Sequence, residues 1–89
     1  MKFEFDPVKS ATNKDKHGID FVQAQILWAD EGVEVVMSKS RMTDEARFLA
    51  IGRIEGKHWT AICTLRGEAI RIISVRRARK EEVDYYEGN

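Results

Sequence analysis

At 89 residues the chain predicts one domain spanning 1–89, long enough for one modest core and too short for two. Its 15 Lys and Arg are matched by 15 Asp and Glu, which argues against the overall basic charge usual in a nucleic-acid binder. No apolar run reaches the length of a membrane-spanning helix, and a lone cysteine, Cys63, rules out an intrachain disulfide.

The charge is unevenly spread. Up to Ala46 there are six basic and nine acidic residues, a balance of −3; from Arg47 onward there are nine and six, a balance of +3. Between Arg66 and Lys80 six basic residues face Glu68 alone, enough for a local basic patch on a neutral protein. The opening Met1-Lys2-Phe3-Glu4-Phe5-Asp6 places acids where a signal peptide needs an apolar stretch. Together with the unpaired cysteine this predicts a cytoplasmic protein.

Lys2 to Phe5 alternates as a short edge strand. Asp6-Pro7 is a helix start, with aspartate as N-cap and proline in the first turn. That helix is predicted to run to about His17 and to end at Gly18, with Lys16 and His17 where the helix dipole favours cations. A second helix begins at Asp20, with Gln23 spaced for a capping box and Ile19 and Ala24 for a hydrophobic staple. Its stripe Phe21, Ala24, Leu27 and Trp28 reads as a face packed on a sheet. Asp30-Glu31-Gly32 breaks the chain, Val33 to Met37 reads as a strand, and the polar Ser38 to Glu45 as a loop. Arg47 to Ile54, His58 to Leu65 and Ala69 to Arg77 are three strands joined by the turns Glu55-Gly56-Lys57 and Arg66-Gly67-Glu68. A short helix from about Arg79 to Glu87 closes the chain, with Glu81 and Glu82 in its favourable first turn. The order is βααββββα. It predicts an α+β domain with an antiparallel sheet, packed on one face by the two N-terminal helices.

The chemistry-bearing residues each admit a plain reading. One cysteine and two distant histidines do not make a metal site, and no glycine-rich phosphate loop precedes a helix, so no cofactor is expected. Cys63 is in phase with Trp59, Ala61 and Leu65 and reads as a buried small hydrophobe. His58 falls on the other, more polar phase with Thr60, Thr64 and Arg66, and reads as a solvated strand residue. His17 either caps its helix or serves acid–base chemistry, and is the better placed histidine for the latter. Tyr86 either packs the last helix on the sheet or stacks on a base.

The last strand, Ile70-Arg71-Ile72-Ile73-Ser74-Val75-Arg76-Arg77, carries most of the information. Arginine is always charged, and its planar fork fits phosphate. A strand that only filled a core has no use for so many, so an anion-binding sheet rim competes with a merely solvated basic edge. A regular two-residue period puts Ile70, Ile72, Ser74 and Arg76 on one face and Arg71, Ile73, Val75 and Arg77 on the other. On that geometry Arg71 and Arg76 share a phosphate only if a bulge or the strand end re-aims one of them.

Phe3-Glu4-Phe5-Asp6, Lys9, Asn13 and Lys16-His17-Gly18, followed by Phe21 and Ala24, resemble the opening of the BrnT toxins. Arg47-Phe48 and Ile51-Gly52 resemble their central strand. Arg71-Ile72-Ile73-Ser74 with Arg76, then Glu82 and Tyr86, resemble their closing block. Phe5 stands where the family usually has Trp, and Val75 where it has Ala. The resemblance covers nearly the whole chain. It implies a RelE-like fold and a metal-independent endoribonuclease toxin of a type II toxin–antitoxin system, which cleaves RNA, inhibits translation and growth, and is neutralised by a ribbon-helix-helix antitoxin like BrnA. The two would form a hetero-oligomer that contacts operator DNA only through the antitoxin. On this reading Arg71 and Arg76 stabilise the phosphorane, Ser74 hydrogen-bonds a phosphate oxygen, His17 is the acid or base, and Tyr86 stacks a base or positions the phosphate. Lys16, Arg47, Arg66 and Arg77 would steer the RNA. The alternative function is a catalytically inactive, toxin-derived binding module that acts as a co-repressor with its antitoxin.

Overall fold

The computed structural model describes residues 1–38 and 46–88. The elements are β1 (Lys2–Glu4), α1 (Pro7–His17), α2 (Phe21–Ala24), a 3-10 helix (Gln25–Ala29), β2 (Glu34–Met37), β3 (Arg47–Ile54), β4 (Lys57–Arg66), β5 (Ala69–Arg77) and α3 (Lys80–Tyr86). The loop expected over 38–45 lies, after Ser38, outside the described residues.

Local signals place the first helices. The Asp6 carboxylate accepts the Val8 amide at 2.8 Å, and Pro7 opens α1. Gly18, at φ 80°, ends it in the left-handed conformation that favours glycine. The Asp20–Gln23 capping box forms as the spacing predicts.

The second helix does not continue as one α-helix. After Ala24 it tightens to 3-10 winding, whose three-residue turn stacks Ala24, Leu27 and Asp30 on one side. Ala24 and Leu27 are thereby fully buried, and the Asp30 carboxylate reaches β3, where it accepts the Arg53 amide at 2.7 Å. This approach requires Gly52: a Cβ there would lie 3.0 Å from the Leu27 side chain and 3.1 Å from the Asp30 carboxylate.

The sheet order is β1-β5-β4-β3-β2. It is mixed, not antiparallel throughout. The strands β2 to β5 pair antiparallel as expected, and β1 pairs parallel to β5 through Lys2–Ala69, Phe3–Ile70 and Glu4–Arg71. The meander leaves β5 with an open edge, and β1 fills only its first part.

Next to it, α1 takes over the edge. The buried Asn13 amide acts as a short strand would: it donates to the Val75 carbonyl at 2.9 Å and accepts the Val75 amide at 3.2 Å. It also donates to the Ile19 carbonyl at 2.8 Å, and Ser10 Oγ accepts the Phe21 amide at 2.9 Å. Two buried polar side chains thus tie α1 to β5 and α2 with their hydrogen bonds satisfied.

Phe21, Leu27, Ala61, Cys63, Ile72 and Val75 form the centre of the core between the helices and the sheet. Cys63 is fully buried as expected, and burial pushes its thiol pKa up to about 12, which leaves it inert as a nucleophile at neutral pH.

On the opposite sheet face, α3 lies against β3. Thr60 and Thr64 on this face are buried, so the middle of β4's polar phase is covered, while Arg66 at its end is exposed.

Candidate functional site

The register of β4 with β5 decides where the arginines point. Ile62 pairs with Ser74 and Cys63 with Ile72, so Ile73 is an extra residue in β5. This bulge overturns the expected alternation. Ile70, Ile72 and Val75 face the helices, while Arg71, Ser74 and Arg76 lie opposite Thr64, Ile62 and Thr60 on the other face. Arg71 and Arg76 therefore share a face after all.

They are occupied differently. Arg76 is half-buried and forks onto Glu82, with Nη1–Oε1 at 2.7 Å and Nη2–Oε2 at 2.9 Å. Glu82 Oε1 also accepts the Thr60 hydroxyl at 2.9 Å and the Arg79 amide at 2.8 Å. Burial pushes the Glu82 pKa up, but the Arg76 pair, the Arg79 amide and the Thr60 hydroxyl outweigh it and hold the carboxylate down at about 2. The same pair raises the Arg76 pKa. Arg76 is thus the anchor of α3. Arg71 makes a looser contact, 3.2 Å to Glu4 on β1, with both side chains partly exposed.

Ser74 sits beside the bulge, between the end of β1 and the point where Asn13 of α1 pairs with Val75. It lines a pocket of about 210 Å³ with Ile73 and with Lys9, Thr12, Asn13, Lys16 and His17 of α1. The sequence-predicted His17, Lys16 and Ser74 therefore come together, with the exposed His17 on the last turn of α1. Lys9 belongs with them and went unassigned. Its signal was available, because positions 9, 12, 13 and 16 follow the helical period and share one face.

The remaining candidates lie elsewhere. Arg47 pairs across the sheet with Thr64, which in turn pairs with Arg71, so a row of positive charge crosses the half of the face away from Arg76. The Arg47 Nε is buried with no hydrogen-bond partner among the described residues. Arg66 ends β4, next to the turn into β5. Arg77 lies on the helix side, its guanidinium 5.4 Å from the centroid of the Trp59 ring.

Tyr86 does not reach the Ser74 pocket. Its hydroxyl donates to Asp30 at 2.8 Å, which raises the tyrosine pKa. Burial pushes the Asp30 carboxyl up, but the amides of Gly32 and Arg53 and the Tyr86 hydroxyl leave it below the usual range. His58, expected to be solvated, is half-buried beside Tyr86 with ring centroids 5.2 Å apart. Its Nε2 is 2.7 Å from Glu87 Oε2. The contact joins residues 29 apart, so nothing in the local sequence of β4 announces it. Tyr86, Glu87 and Glu82 together fasten α3 to the rest of the molecule.

Among the described residues no group of three or more His, Cys, Asp or Glu side chains could hold a metal ion, and no helix is long and apolar enough to cross a membrane. The open pocket combines two lysines, a histidine and the hydroxyls of Thr12 and Ser74 at a sheet edge, a donor set suited to a phosphate and to proton transfer beside it. No curated protein matches the sequence closely enough to count as a relative. Residues 5–82, most of the chain, match the family described as the ribonuclease toxin, BrnT, of type II toxin–antitoxin systems, and the protein belongs to that family.

Proposed function

We propose that this chain is a metal-independent endoribonuclease of RelE-like fold that cuts RNA in the pocket between α1 and the β5 edge. The observation that carries the reading is the convergence of Lys9, Lys16, His17 and Ser74 on one open pocket beside the bulge. Cleavage without a metal needs a base for the 2′-hydroxyl, positive charge for the phosphorane and an acid for the leaving 5′-oxygen. The 2′-oxygen attacks phosphorus, the bond to the 5′-oxygen breaks, and the products are a 2′,3′-cyclic phosphate and a 5′-hydroxyl. His17 serves one of the proton transfers, Lys9 and Lys16 face the phosphorane charge, and Ser74 donates to a phosphate oxygen. Arg71 and Arg47 carry positive potential onto the half of the sheet face away from Arg76, and Arg66 and Arg77 steer the strand. Arg76 and Tyr86 act through the position of α3.

Membership of a type II system implies a protein antitoxin. We place a ribbon-helix-helix antitoxin of the BrnA kind over the pocket, in the cytoplasm. Its DNA-binding part stays free to dimerise and to carry the hetero-oligomer to operator DNA. This suits a chain with no net charge, which need not grip DNA itself.

The test is RNA incubated with the purified protein in excess EDTA, with the fragment ends identified. Chelator-resistant cutting that leaves 2′,3′-cyclic phosphates is the expected result, and a strict need for added magnesium would contradict it. The purified complex with the antitoxin is expected to be inert, and a complex as active as the free protein would refute occlusion of the pocket.

A further inference from the structure

A second hollow lies near the Ser74 pocket, at the end of α1. The two flank the same end of α1: His17 lines the first and its chain neighbour Gly18 the second. The second has a volume of about 220 Å³ and lies between the end of α1, α2 and the β3–β4 turn. Ile26, Ile54 and the indole of Trp59 give it apolar walls, and Gln23, Glu55 and Lys57 provide its polar rim. This is smaller than the ~300–1,000 Å³ of sites for drug-sized ligands, so it suits one ring system and not a whole nucleotide.

Three features identify the occupant. First, a half-buried aromatic ring lines the hollow, and every base has a π-face that stacks on such a ring. Second, cations flank it. Arg77 sits over the indole, Lys57 lines the rim, and Lys16 stands two residues before Gly18 in the first pocket, charges that suit a phosphodiester beside the ring. Third, the rim carries both kinds of hydrogen-bonding group. Gln23 keeps its Oε1 on Lys14 and the Asp20 amide, which turns its amide nitrogen into the available donor, and Glu55 is an acceptor.

We propose that this hollow holds the base of a nucleotide adjoining the scissile phosphate, stacked on Trp59, and so sets which base the enzyme tolerates there. The proposal rests on the ribonuclease reading above.

The experiment uses two short single-stranded probes with 2′-O-methyl riboses, which cannot be cut by 2′-oxygen attack. One carries bases; the other is the same backbone without them. The wild type should bind the base-bearing probe more tightly. Trp59→Ala should weaken that binding about tenfold and leave the abasic affinity unchanged, while Trp59→Phe retains most of it. Trp59 packs against the core, so a second readout avoids altering it. In a Trp28→Phe background, Trp59 emission should be quenched by the base-bearing probe and not by the abasic one. Equal losses on both probes, or no loss on either, would overturn the base subsite and leave the ribonuclease reading intact. A wild type that binds neither probe would remove both.

Discussion

Replacing Glu82 with alanine should destabilise the domain by about 3–5 kcal/mol, the usual effect of removing one partner from a buried ion pair. Glu82 is only 9 % exposed, and its carboxylate serves three groups at once: the Arg76 fork, the Thr60 hydroxyl and the Arg79 amide. Without it the Arg76 charge stays half-buried and unpaired, and α3 loses its central attachment. Against a total stability on the order of 5–15 kcal/mol this is a large share. Glu82→Gln keeps hydrogen-bonding capacity and should cost less. The same group governs acid sensitivity. Its folded pKa of about 2 lies below its unfolded value, so its contribution is complete above about pH 4.5 and is lost as pH falls towards 2. The contribution is on the order of 3 kcal/mol. Urea titrations at pH 7 and pH 3 check both statements. A Glu82→Ala stability within 1 kcal/mol of wild type, or wild-type stability unchanged between those pH values, would contradict them.

His17→Ala should slow RNA cleavage about 100-fold or more, the low end of what a positioned acid or base contributes, and should leave stability almost unchanged. His17 is exposed at the end of α1, and no hydrogen bond from its side chain to another described residue supports the fold. Arg76→Ala should behave in the opposite way. It strips Glu82 of its counter-ion and lowers stability first, and its activity should return in proportion to the folded fraction. A circular dichroism melt beside each cleavage assay separates the two. A stable, inactive Arg76→Ala would restore Arg76 to the chemistry, and an unstable His17→Ala would make His17 a helix cap.

The contrast between those two residues shows what the sequence disclosed. α1 was legible because its signals are local: Asp6 and Pro7 at one end, Gly18 at the other, and Lys9, Asn13 and Lys16 at helical spacing between them. β3, β4 and β5 were legible from β-branched runs and glycine turns. The bulge at Ile73 was not, because it needs no glycine or proline and follows from how β4 and β5 settle against each other. One extra residue was enough to reverse the predicted faces of Ser74, Val75 and Arg76. The long-range partners were equally hidden. Nothing near His58 points to Glu87, nothing near Tyr86 points to Asp30, and the parallel pairing of β1 depends on the edge that the meander leaves free. The roles of Arg76 and His58 could therefore be read only after α3 was placed. The grouping of Lys16 and His17 with Ser74 joins positions at least 57 apart in the chain, and the family resemblance pointed to it where local rules could not.

Single-turnover cleavage of one end-labelled RNA in excess EDTA, by wild type, His17→Ala and Lys9→Ala/Lys16→Ala at equal concentration, tests the α1–β5 pocket most directly. The wild type should cut at a rate the chelator does not change. His17→Ala should lose about 100-fold or more, and the double lysine variant should lose activity while melting as the wild type does. Folded variants that cut at the wild-type rate would place the active site elsewhere.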